Sequence, residues 1–301
     1  MQGINPISIY KAIFYFKKKR FDIIHTHSPR SDLLVYSSNL FLKNKGKRIV
    51  TIHGKYGTYL QGNFLIDFLR KIFIKQQSKI WEKASKVIVI SESIKDWLEK
   101  LNSSIKPTVI PYGVEVQEVS QKNKLANPTL GYLGKLNKNK GIEDLIDVYT
   151  KFQEKENSSN FELTLLIGGT GSENYIKSLK NKIKDNNVKF LGYVEDRYSF
   201  FESIEIFVFP SYSEGLGLVL LEAMAHGVIC ITRDVTPMNS IVDNEENGFL
   251  FNDNKELLEK IEMALKLNST EKNKLVQSAI KKIEKSYSIM QMYLSTEKAY
   301  N

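Results

Sequence analysis

The chain has little of several features that would define other classes of protein. Its 301 residues include one cysteine, Cys230, which excludes an internal disulfide; it lies in the apolar run "GVICIT", where a small buried core residue is expected. No apolar run reaches the roughly 18 residues that a membrane-spanning helix needs. The N-terminal stretch carries its positive charge after the apolar part, the reverse of a secretory signal. These absences favour a cytoplasmic protein.

Patterns that hold metal ions or nucleic acid are also missing from the sequence. The four histidines show no metal-ligand spacing with acids or cysteine, and no Asp-x-Asp follows a strand candidate. Neither zinc spacings nor aromatic–basic RNA-binding signatures occur. The sequence therefore predicts no metal site and no nucleic-acid partner.

Positive charge is abundant in one half only. Residues 1–120 contain 20 lysines and arginines against 9 acidic residues, whereas residues 121–301 contain 23 against 25. The asymmetry predicts two domains, the first of which faces an anionic partner, and a membrane surface fits better than nucleic acid. Solvated lysine faces without any partner are an alternative of equal weight.

One amphipathic segment bears on the membrane hypothesis. Residues 62–75 place six apolar side chains on a helical stripe beside Arg70 and Lys71, and "KKKR" at 17–20 adds further charge. The stripe consists of Phe64, Leu65, Phe68, Leu69, Ile72 and Phe73. Packing of the stripe into the protein core is the alternative.

Short apolar runs rich in β-branched residues alternate with stretches of helical length. The runs are "FDIIHTH", "RIVTIHG", "KVIVIS", "TVIPYG", "TLGYLG", "ELTLLIGG", "VKFLGY", "IEIFVFPS", "GVICIT" and "GFLF". Near-continuous apolar strands separated by helices predict an α/β fold with parallel sheets. Residues 117–128 are polar and non-periodic, which predicts a linker between two such units.

Polar residues and glycines follow four strand candidates of the second half, the position where ligands bind in open α/β sheets. They are Lys135 and Lys140 after "TLGYLG", Gly168, Gly169, Thr170 and Gly171 after "ELTLLI", Tyr193 after "VKFLG", and Ser213, Glu214, Gly215 and Gly217 after "IFVFPS". A turn would explain the glycines of any one loop. Four such loops in one half predict a ligand site.

Two glutamates stand in the mostly apolar stretch "SEGLGLVLLEAMAHG" at residues 213–227. The stretch predicts a glycine-containing turn and then a buried helix that Gly227 ends, and free N–H groups at the helix start suit a phosphate. Glu222, about two turns into this apolar helix, needs hydrogen-bond donors such as sugar hydroxyls. A helix-start role for Glu214 and a buried Arg or Lys beside Glu222 are the alternative.

From about residue 20 onward, the chain resembles the retaining nucleotide-sugar glycosyltransferases of family 4. The two glutamates form the E-x7-E signature of that family, and its other segments occur in order as "DIIHTHSP", "TIHG", "VIVISES", "VIPYGVE", "GYLGKLNKNKGIEDLI", "LLIGGTG", "VKFLGYVED" and "ENGFLF". The resemblance implies the GT-B fold, in which two Rossmann-like domains face a cleft. The acceptor-side domain would be residues 1–120 with the C-terminal helix 288–301, and the donor-binding domain would be residues 121–287.

The resemblance also implies roles for individual residues. Lys135 and Lys140 would hold the donor diphosphate, Glu214 the donor sugar hydroxyls, and His53 would line the reaction centre from the acceptor side. Glu222 would bind the ribose hydroxyls. The rest of the predicted donor site consists of Gly134, Gly169, Gly171 and Gly215, the backbone around Tyr193 for the nucleobase, and the N–H groups of Leu216, Gly217 and Leu218. His25 and His27 are weaker candidates, and Lys135 replaces a usual arginine, which keeps the charge but loses the bidentate fork.

The implied function is transfer of a hexose, with retention, from a nucleotide-diphosphate sugar to a surface-polysaccharide or lipid-linked glycan acceptor. The leaving phosphate oxygen would take the acceptor proton, so that no protein base is needed. The two lysines and the helix N-terminus would neutralise the diphosphate, so we expect no metal or other cofactor. The expected location is the cytoplasm, either free or on the inner face of the membrane.

Two departures from the family pattern keep other functions open. The chain begins at the helix "ISIYKAIFYF", whereas family members usually begin with a strand and a glycine-rich loop, so we expect an incomplete first domain with an exposed edge at "FDIIHTH". Ser240 stands where the family usually has glutamate. A second hypothesis is therefore a truncated or split subunit that binds nucleotide but needs a partner chain for activity. A third, a sugar-nucleotide epimerase, is disfavoured by the E-x7-E pair.

Overall fold

The computed structural model describes residues 6–42, 46–56, 64–116, 127–156, 162–183 and 186–301. The first elements are α1 (Pro6–Lys18), β1 (Ile23–Thr26), α2 (Pro29–Asn39), β2 (Lys47–Ile52), α3 (Phe64–Glu82), β3 (Lys86–Val89), α4 (Glu92–Leu101) and β4 (Thr108–Val109). They are followed by β5 (Thr129–Leu133), α5 (Ile142–Glu156), β6 (Thr164–Gly168), α6 (Glu173–Lys182), β7 (Val188–Gly192), α7 (Arg197–Glu202), β8 (Ile206–Phe209), α8 (Leu218–Ala225), β9 (Ile229–Arg233), α9 (Met238–Ile241), β10 (Phe249–Phe251), α10 (Asn254–Lys266), α11 (Ser269–Ser286) and α12 (Ile289–Tyr300).

Each of the ten apolar runs contains a strand, and the strands pair in parallel. Most strand residues are buried, because helices cover both faces of a parallel sheet. The predicted α/β fold with two parallel sheets is therefore confirmed. Most of the predicted linker, residues 117–126, lies outside the described residues.

The chain divides into two compact units. Unit 1 comprises residues 1–111 and 292–301, and unit 2 comprises residues 112–291. The divisions fall nine residues before the predicted boundary at 120/121 and four residues after the one predicted at 287/288. The segment after β4 is therefore part of unit 2, where Val114 bridges to Ser288.

Unit 1 contains a four-stranded sheet in the order β1-β2-β3-β4, so β1 is an edge strand of this sheet. The last helix, α12, returns to this unit, as predicted for the C-terminus. Its Met292, Ala299 and Tyr300 pack against a small buried cluster that includes Ile49 and Ile88. The C-terminal residues thus cover one face of the sheet formed by the first part of the chain.

A buried ion pair lies inside unit 1. Asp32, on α2, has no solvent exposure and pairs with Arg48 of β2, which is 5% exposed. Thr26 and Gln77 also donate hydrogen bonds to the Asp32 carboxylate, at 3.2 and 3.3 Å. Burial raises the pKa of Asp32, although the Arg48 charge opposes this shift. The network ties β1, α2, β2 and α3 together.

Unit 2 contains a six-stranded sheet in the order β10-β9-β8-β5-β6-β7. The strand order reverses between β5 and β8, because β6 and β7 extend the sheet on one side and β8, β9 and β10 on the other. A large buried cluster of aliphatic and aromatic side chains packs α5 and α10 against this sheet. In open α/β sheets the carboxyl ends of the strands beside such a reversal form the usual ligand-binding crevice.

Candidate functional site

The loops after β5 and β8 meet at the strand-order reversal of unit 2. A Cβ atom on Gly141 would lie 2.1 Å from the carbonyl oxygen of Pro210, so the close approach of these loops requires glycine there. The approach brings Lys140 and Glu214 into an ion pair, with 2.6 Å between Nζ and Oε1. Both side chains are partly exposed, at 21% and 14%. Two predicted site residues are therefore adjacent.

The stretch after Glu214 folds as predicted, into a turn followed by helix α8. Gly217 caps the helix with φ at 87°, a left-handed conformation that favours glycine. Leu216 is buried beside this turn, whereas Leu218, the first residue of α8, is partly exposed. Gly227, also at positive φ, follows the helix end. The N–H groups of the first turn are the donors that a helix start offers to an anion.

Glu222 pairs with an arginine. Nη1 of Arg197 lies 2.8 Å from each carboxylate oxygen of Glu222. Arg197 begins α7 and is about half exposed, whereas Glu222 is mostly buried. The alternative interpretation of Glu222 required a buried Arg or Lys beside it. Glu222 does have an arginine partner, but Arg197 is at the surface.

The remaining predicted donor-site residues lie on neighbouring loops of the same sheet. Gly134 and Gly169 follow β5 and β6, and the N–H of Gly134 donates to Gly168 at 3.0 Å. Gly171 bridges to Leu136 in the β5 loop. Lys135 has an exposed side chain, while its carbonyl accepts a hydrogen bond of 3.1 Å from the buried Tyr132 hydroxyl. Tyr193 is largely exposed just beyond β7, and Gly215 lies between Glu214 and Leu216 in the β8 loop.

Three histidines cluster at the carboxyl ends of β1 and β2 in unit 1. Nδ1 of His27 lies 3.2 Å from Nε2 of His53, and the rings of His25 and His27 are 4.2 Å apart. His25 also bonds Tyr300 and Thr51, at 2.8 and 2.7 Å. The two weaker candidates, His25 and His27, therefore lie beside the predicted His53.

Burial and neighbouring imidazoles disfavour the charged forms of His25 and His53. Desolvation, followed by the charges of His27 and His53, lowers the pKa of His25 to about 4. Desolvation and His27 also lower the pKa of His53. His25 is therefore neutral at neutral pH. The pKa of His53 is shifted in the same direction, so His53 is also a neutral hydrogen-bonding group.

Several charged and polar partners at the unit 2 site were missed by the sequence reasoning. Asp144, Tyr212 and Arg233 join the loops around Glu214, and Arg197 pairs with Glu222. One signal was available for Arg233, a charged residue that directly continues the apolar run "GVICIT". Asp144, Tyr212 and Arg197 lie in loops or at helix starts, where polar residues are common. The sequence pattern alone therefore does not distinguish them.

The described part of the chain holds neither a metal-binding cluster nor a membrane-spanning helix. No group of three or more His, Cys, Asp or Glu side chains there is arranged to hold a metal ion. Over the same residues, no helix combines the length and the apolar character needed to cross a bilayer.

Comparison with family models identifies the class of protein. The model of glycosyl transferases group 1 matches residues 115–282, and that of glycosyltransferase family 4 matches residues 2–118. The first match covers more than half of the chain and contains all the predicted donor-site residues. The chain belongs to the glycosyl transferases of group 1.

Curated relatives act in the synthesis of surface polysaccharides. The chain is 29% identical to the capsular polysaccharide biosynthesis glycosyltransferase CapM of Staphylococcus aureus, over 98% of this chain and 80% of CapM. It is also 29% identical to the O-antigen biosynthesis glycosyltransferase WclY of Escherichia coli, over 75% of this chain and 64% of WclY. The chain thus spans less than two thirds of WclY.

Solved structures agree on the fold. HepE of Anabaena, crystallised with UDP and glucose, superposes with a TM-score of 0.79 at 16% identity, over 99% of this chain and 83% of HepE. A glycosyltransferase from Rickettsia africae gives a TM-score of 0.80 at 18% identity, over 100% of this chain and 82% of that protein. The fold is that of the GT-B glycosyltransferases, with two parallel-sheet domains.

Proposed function

We propose that this glycosyltransferase moves a hexose, with retention, from a nucleotide-diphosphate sugar to a lipid-linked or polysaccharide acceptor. The observation that carries the donor half of this proposal is the Lys140–Glu214 pair at the strand-order reversal, in which Glu214 lies four residues before the start of α8. HepE, which has the same fold, was crystallised with UDP and glucose. CapM and WclY, by their names, serve capsule and O-antigen synthesis, which supports the class of acceptor.

The donor diphosphate would be bound by positive groups that belong to the protein. When the donor binds, Lys140 leaves its ion pair with Glu214 and pairs with the phosphate oxygens instead. The exposed Lys135 adds a second cation. The N–H groups of the first turn of α8 face the same anion. Together these groups stabilise the charge that develops on the leaving diphosphate, which is the task that a divalent ion performs in other transferases. Donor binding therefore needs no metal.

The two glutamates would bind the sugar rings at either end of the diphosphate. Glu214, released from Lys140, accepts hydrogen bonds from hydroxyls of the transferred hexose. Glu222 accepts hydrogen bonds from the ribose hydroxyls, and these donors replace or supplement Arg197. The glycine-containing loops after β5 and β6 and the backbone at Tyr193 complete this donor site.

His53 would serve the acceptor. Its lowered pKa keeps the imidazole neutral, so that it can orient a hydroxyl without adding positive charge. Nδ1 of His27 lies 3.2 Å from Nε2 of His53 and helps to hold this ring. The proton of the acceptor passes to the leaving phosphate oxygen, so His53 is assigned a positioning task in the transfer.

Unit 1 would dock on an anionic membrane surface through helix α3. The predicted stripe is exposed: Leu65, Phe68, Leu69, Ile72 and Phe73 all lie at the surface, and the side chain of Phe64 is outside the described residues. Over the residues that the structure describes, these five side chains are exposed and do not form the core that the alternative required. Arg70, Lys71 and Lys75 flank the apolar side chains, a composition that suits anionic lipid.

A thermal-shift panel tests the donor assignment directly. The full chain is heated with UDP, GDP, dTDP and their hexose conjugates, each with and without EDTA. A ligand at 100 times its Kd adds about 2.7 kcal/mol to the free energy of unfolding. We expect one nucleotide family to raise the melting temperature, equally in EDTA. No shift with any ligand, or a strict requirement for Mg²⁺ or Mn²⁺, would contradict the proposal.

Turnover separates the proposed transferase from the split-subunit hypothesis. A chain that binds a nucleotide-sugar and transfers its hexose to a lipid-linked acceptor is an enzyme as it stands. A chain that binds the donor but shows no transfer to any acceptor in a membrane extract supports the nucleotide-binding subunit.

A further inference from the structure

A buried arginine holds together the strand ends that surround Glu214. Arg233, at the end of β9, is 6% exposed. Its Nε donates to the carbonyl of Pro210 at 3.2 Å, and Nη1 donates to the carbonyl of Asn252 at 2.8 Å. Nη2 lies 2.5 Å from Oδ2 of Asp144, in the first turn of α5. One guanidinium thus contacts the loops that follow β8 and β10 and the start of helix α5, which follows β5.

Tyr212 makes a second connection between the loop after β8 and the segment that follows β5. Its hydroxyl donates to the same Oδ2 of Asp144 at 2.6 Å, and its N–H donates to the carbonyl of Asn139 at 3.0 Å. The Arg233 guanidinium lies over the Tyr212 ring, 4.1 Å from its centre. The hydrogen bond to Asp144 raises the pKa of Tyr212, so the hydroxyl remains a donor.

These contacts bear on the two residues assigned to the sugar and the diphosphate. Tyr212 precedes Glu214 by two residues in the loop after β8, while Asn139 directly precedes Lys140 in the loop after β5. The contacts of Arg233 and Tyr212 therefore join the two backbone segments that carry Lys140 and Glu214. Because the pair must open to admit an anion, the position of Glu214 then depends on the Tyr212–Asp144–Arg233 contacts.

We propose that Tyr212, Asp144 and Arg233 are positioning residues that hold the loop after β8, so that Glu214 keeps its place when Lys140 turns to the donor. This inference rests on the proposed function. About half of Tyr212 is exposed, so removing its hydroxyl leaves the buried cluster of unit 2 unchanged. The three residues act through Glu214 and do not themselves touch the sugar.

The test compares Tyr212→Phe with a matched control. Tyr293→Phe removes a hydroxyl from another exposed tyrosine, on α12 in unit 1. Hydrogen exchange of residues 211–217 is followed in the full chain without ligand, and Kd is measured for UDP, GDP, dTDP and their glucose and mannose conjugates. Arg233→Lys, which keeps the charge but loses the fork, and Arg233→Met are compared in the same way.

In Tyr212→Phe we expect faster exchange of residues 211–217 and about three- to tenfold weaker binding of the nucleotide-sugar, with the bare diphosphate changed much less. The Tyr293→Phe control should match wild type in both measurements. Wild type should bind the nucleotide-sugar more tightly than the bare diphosphate. Arg233→Met should lose this preference, and Arg233→Lys should retain part of it. A loss confined to the conjugate is the result that a merely structural role does not produce.

Two results would overturn the positioning proposal. One is a wild-type exchange rate of residues 211–217 in Tyr212→Phe, a measurement that needs no ligand. The other is an equal change in the Kd of diphosphate and conjugate. Failure of the wild-type chain to bind any of the probes would instead count against the proposed function, while the exchange measurement still decides whether Tyr212 holds the loop.

Discussion

The two units hold the polar side chains at the ends of their sheets by different interactions. In unit 2, ion pairs join one strand-end loop or helix to the next, as in Lys140–Glu214, Arg197–Glu222 and Arg233–Asp144. In unit 1, His25 and His53 at the ends of β1 and β2 are neutral, and their hydrogen-bond partners are Thr51, Tyr300 and His27. Paired charges can exchange partners when an anion arrives, whereas neutral imidazoles offer hydrogen bonds alone. The contrast fits a diphosphate ligand for unit 2 and an uncharged hydroxyl for unit 1.

The units also differ in where they keep charge and apolar surface. Unit 1 buries an ion pair completely, Asp32 with Arg48, while leaving apolar side chains of α1 and α3 exposed. Unit 2 encloses a large apolar cluster and leaves the Lys140–Glu214 and Arg197–Glu222 pairs partly exposed near the strand ends. Electrostatic changes should therefore alter stability in unit 1 and ligand binding in unit 2.

The largest expected effect comes from breaking the buried pair of unit 1. Arg48→Met leaves the Asp32 carboxylate buried without its cation, which should reduce the free energy of unfolding by about 3–5 kcal/mol. Urea unfolding combined with hydrogen exchange measures this loss and assigns it to unit 1. The control Lys255→Met removes an exposed cation 3.9 Å from Glu259 and should cost less than about 0.5 kcal/mol. An equally small loss in both variants would refute this account of Asp32.

The next effect concerns Glu222 in unit 2. Glu222→Gln should weaken nucleoside diphosphate binding by about 1.5–3 kcal/mol, because a charged acceptor for the ribose hydroxyls is lost. Arg197→Gln removes the half-exposed partner and leaves the carboxylate available, so it should change the affinity by no more than about 1 kcal/mol. Calorimetric titration of both folded variants with UDP, GDP and dTDP is the measurement. Unchanged affinity in Glu222→Gln would remove this residue from the donor site.

A smaller effect is expected at the exposed face of unit 1. Binding to phosphatidylglycerol vesicles should exceed binding to phosphatidylcholine vesicles and should weaken as salt is added. Lys71→Gln, beside the apolar stripe of α3, should lower binding by about 1 kcal/mol, whereas Lys255→Gln in unit 2 should not. Sedimentation with vesicles measures both. Equal binding to the two lipids, or none to either, argues against electrostatic docking.

The last expected effect is a pH dependence of stability in unit 1. The pKa of His25 is about 4 in the folded chain and near 6.5 when unfolded, so the unfolded state takes up the proton more readily. The contribution of His25 to stability is therefore complete above about pH 6.5 and is lost as the pH falls towards 4. Hydrogen exchange at pH 7 and pH 5 should show reduced protection in unit 1, and His25→Gln should lessen that difference. Equal acid sensitivity of wild type and His25→Gln would contradict this assignment.

The sequence pattern alone determined where the strands and helices lie and in which order they follow one another along the chain. The ten strands were predictable because strands buried on both faces must be continuously apolar, a local property of the chain. The turn and helix of residues 213–227 were predictable for the same reason, since Gly217 and Gly227 supply the positive φ values that a local glycine signal indicates. The alternation of strands and helices then predicted parallel sheets.

Only the tertiary structure decided which charged groups meet. Lys140 and Glu214 are 74 residues apart, Arg233 and Asp144 are 89 apart, and His25 and Tyr300 are 275 apart. The sequence singled out Glu222 as a carboxylate that needs donors, but it did not identify Arg197. Burial leaves a periodic pattern in the chain because each residue carries its own transfer free energy, whereas an ion pair depends on a distance that the folding of all the intervening residues sets.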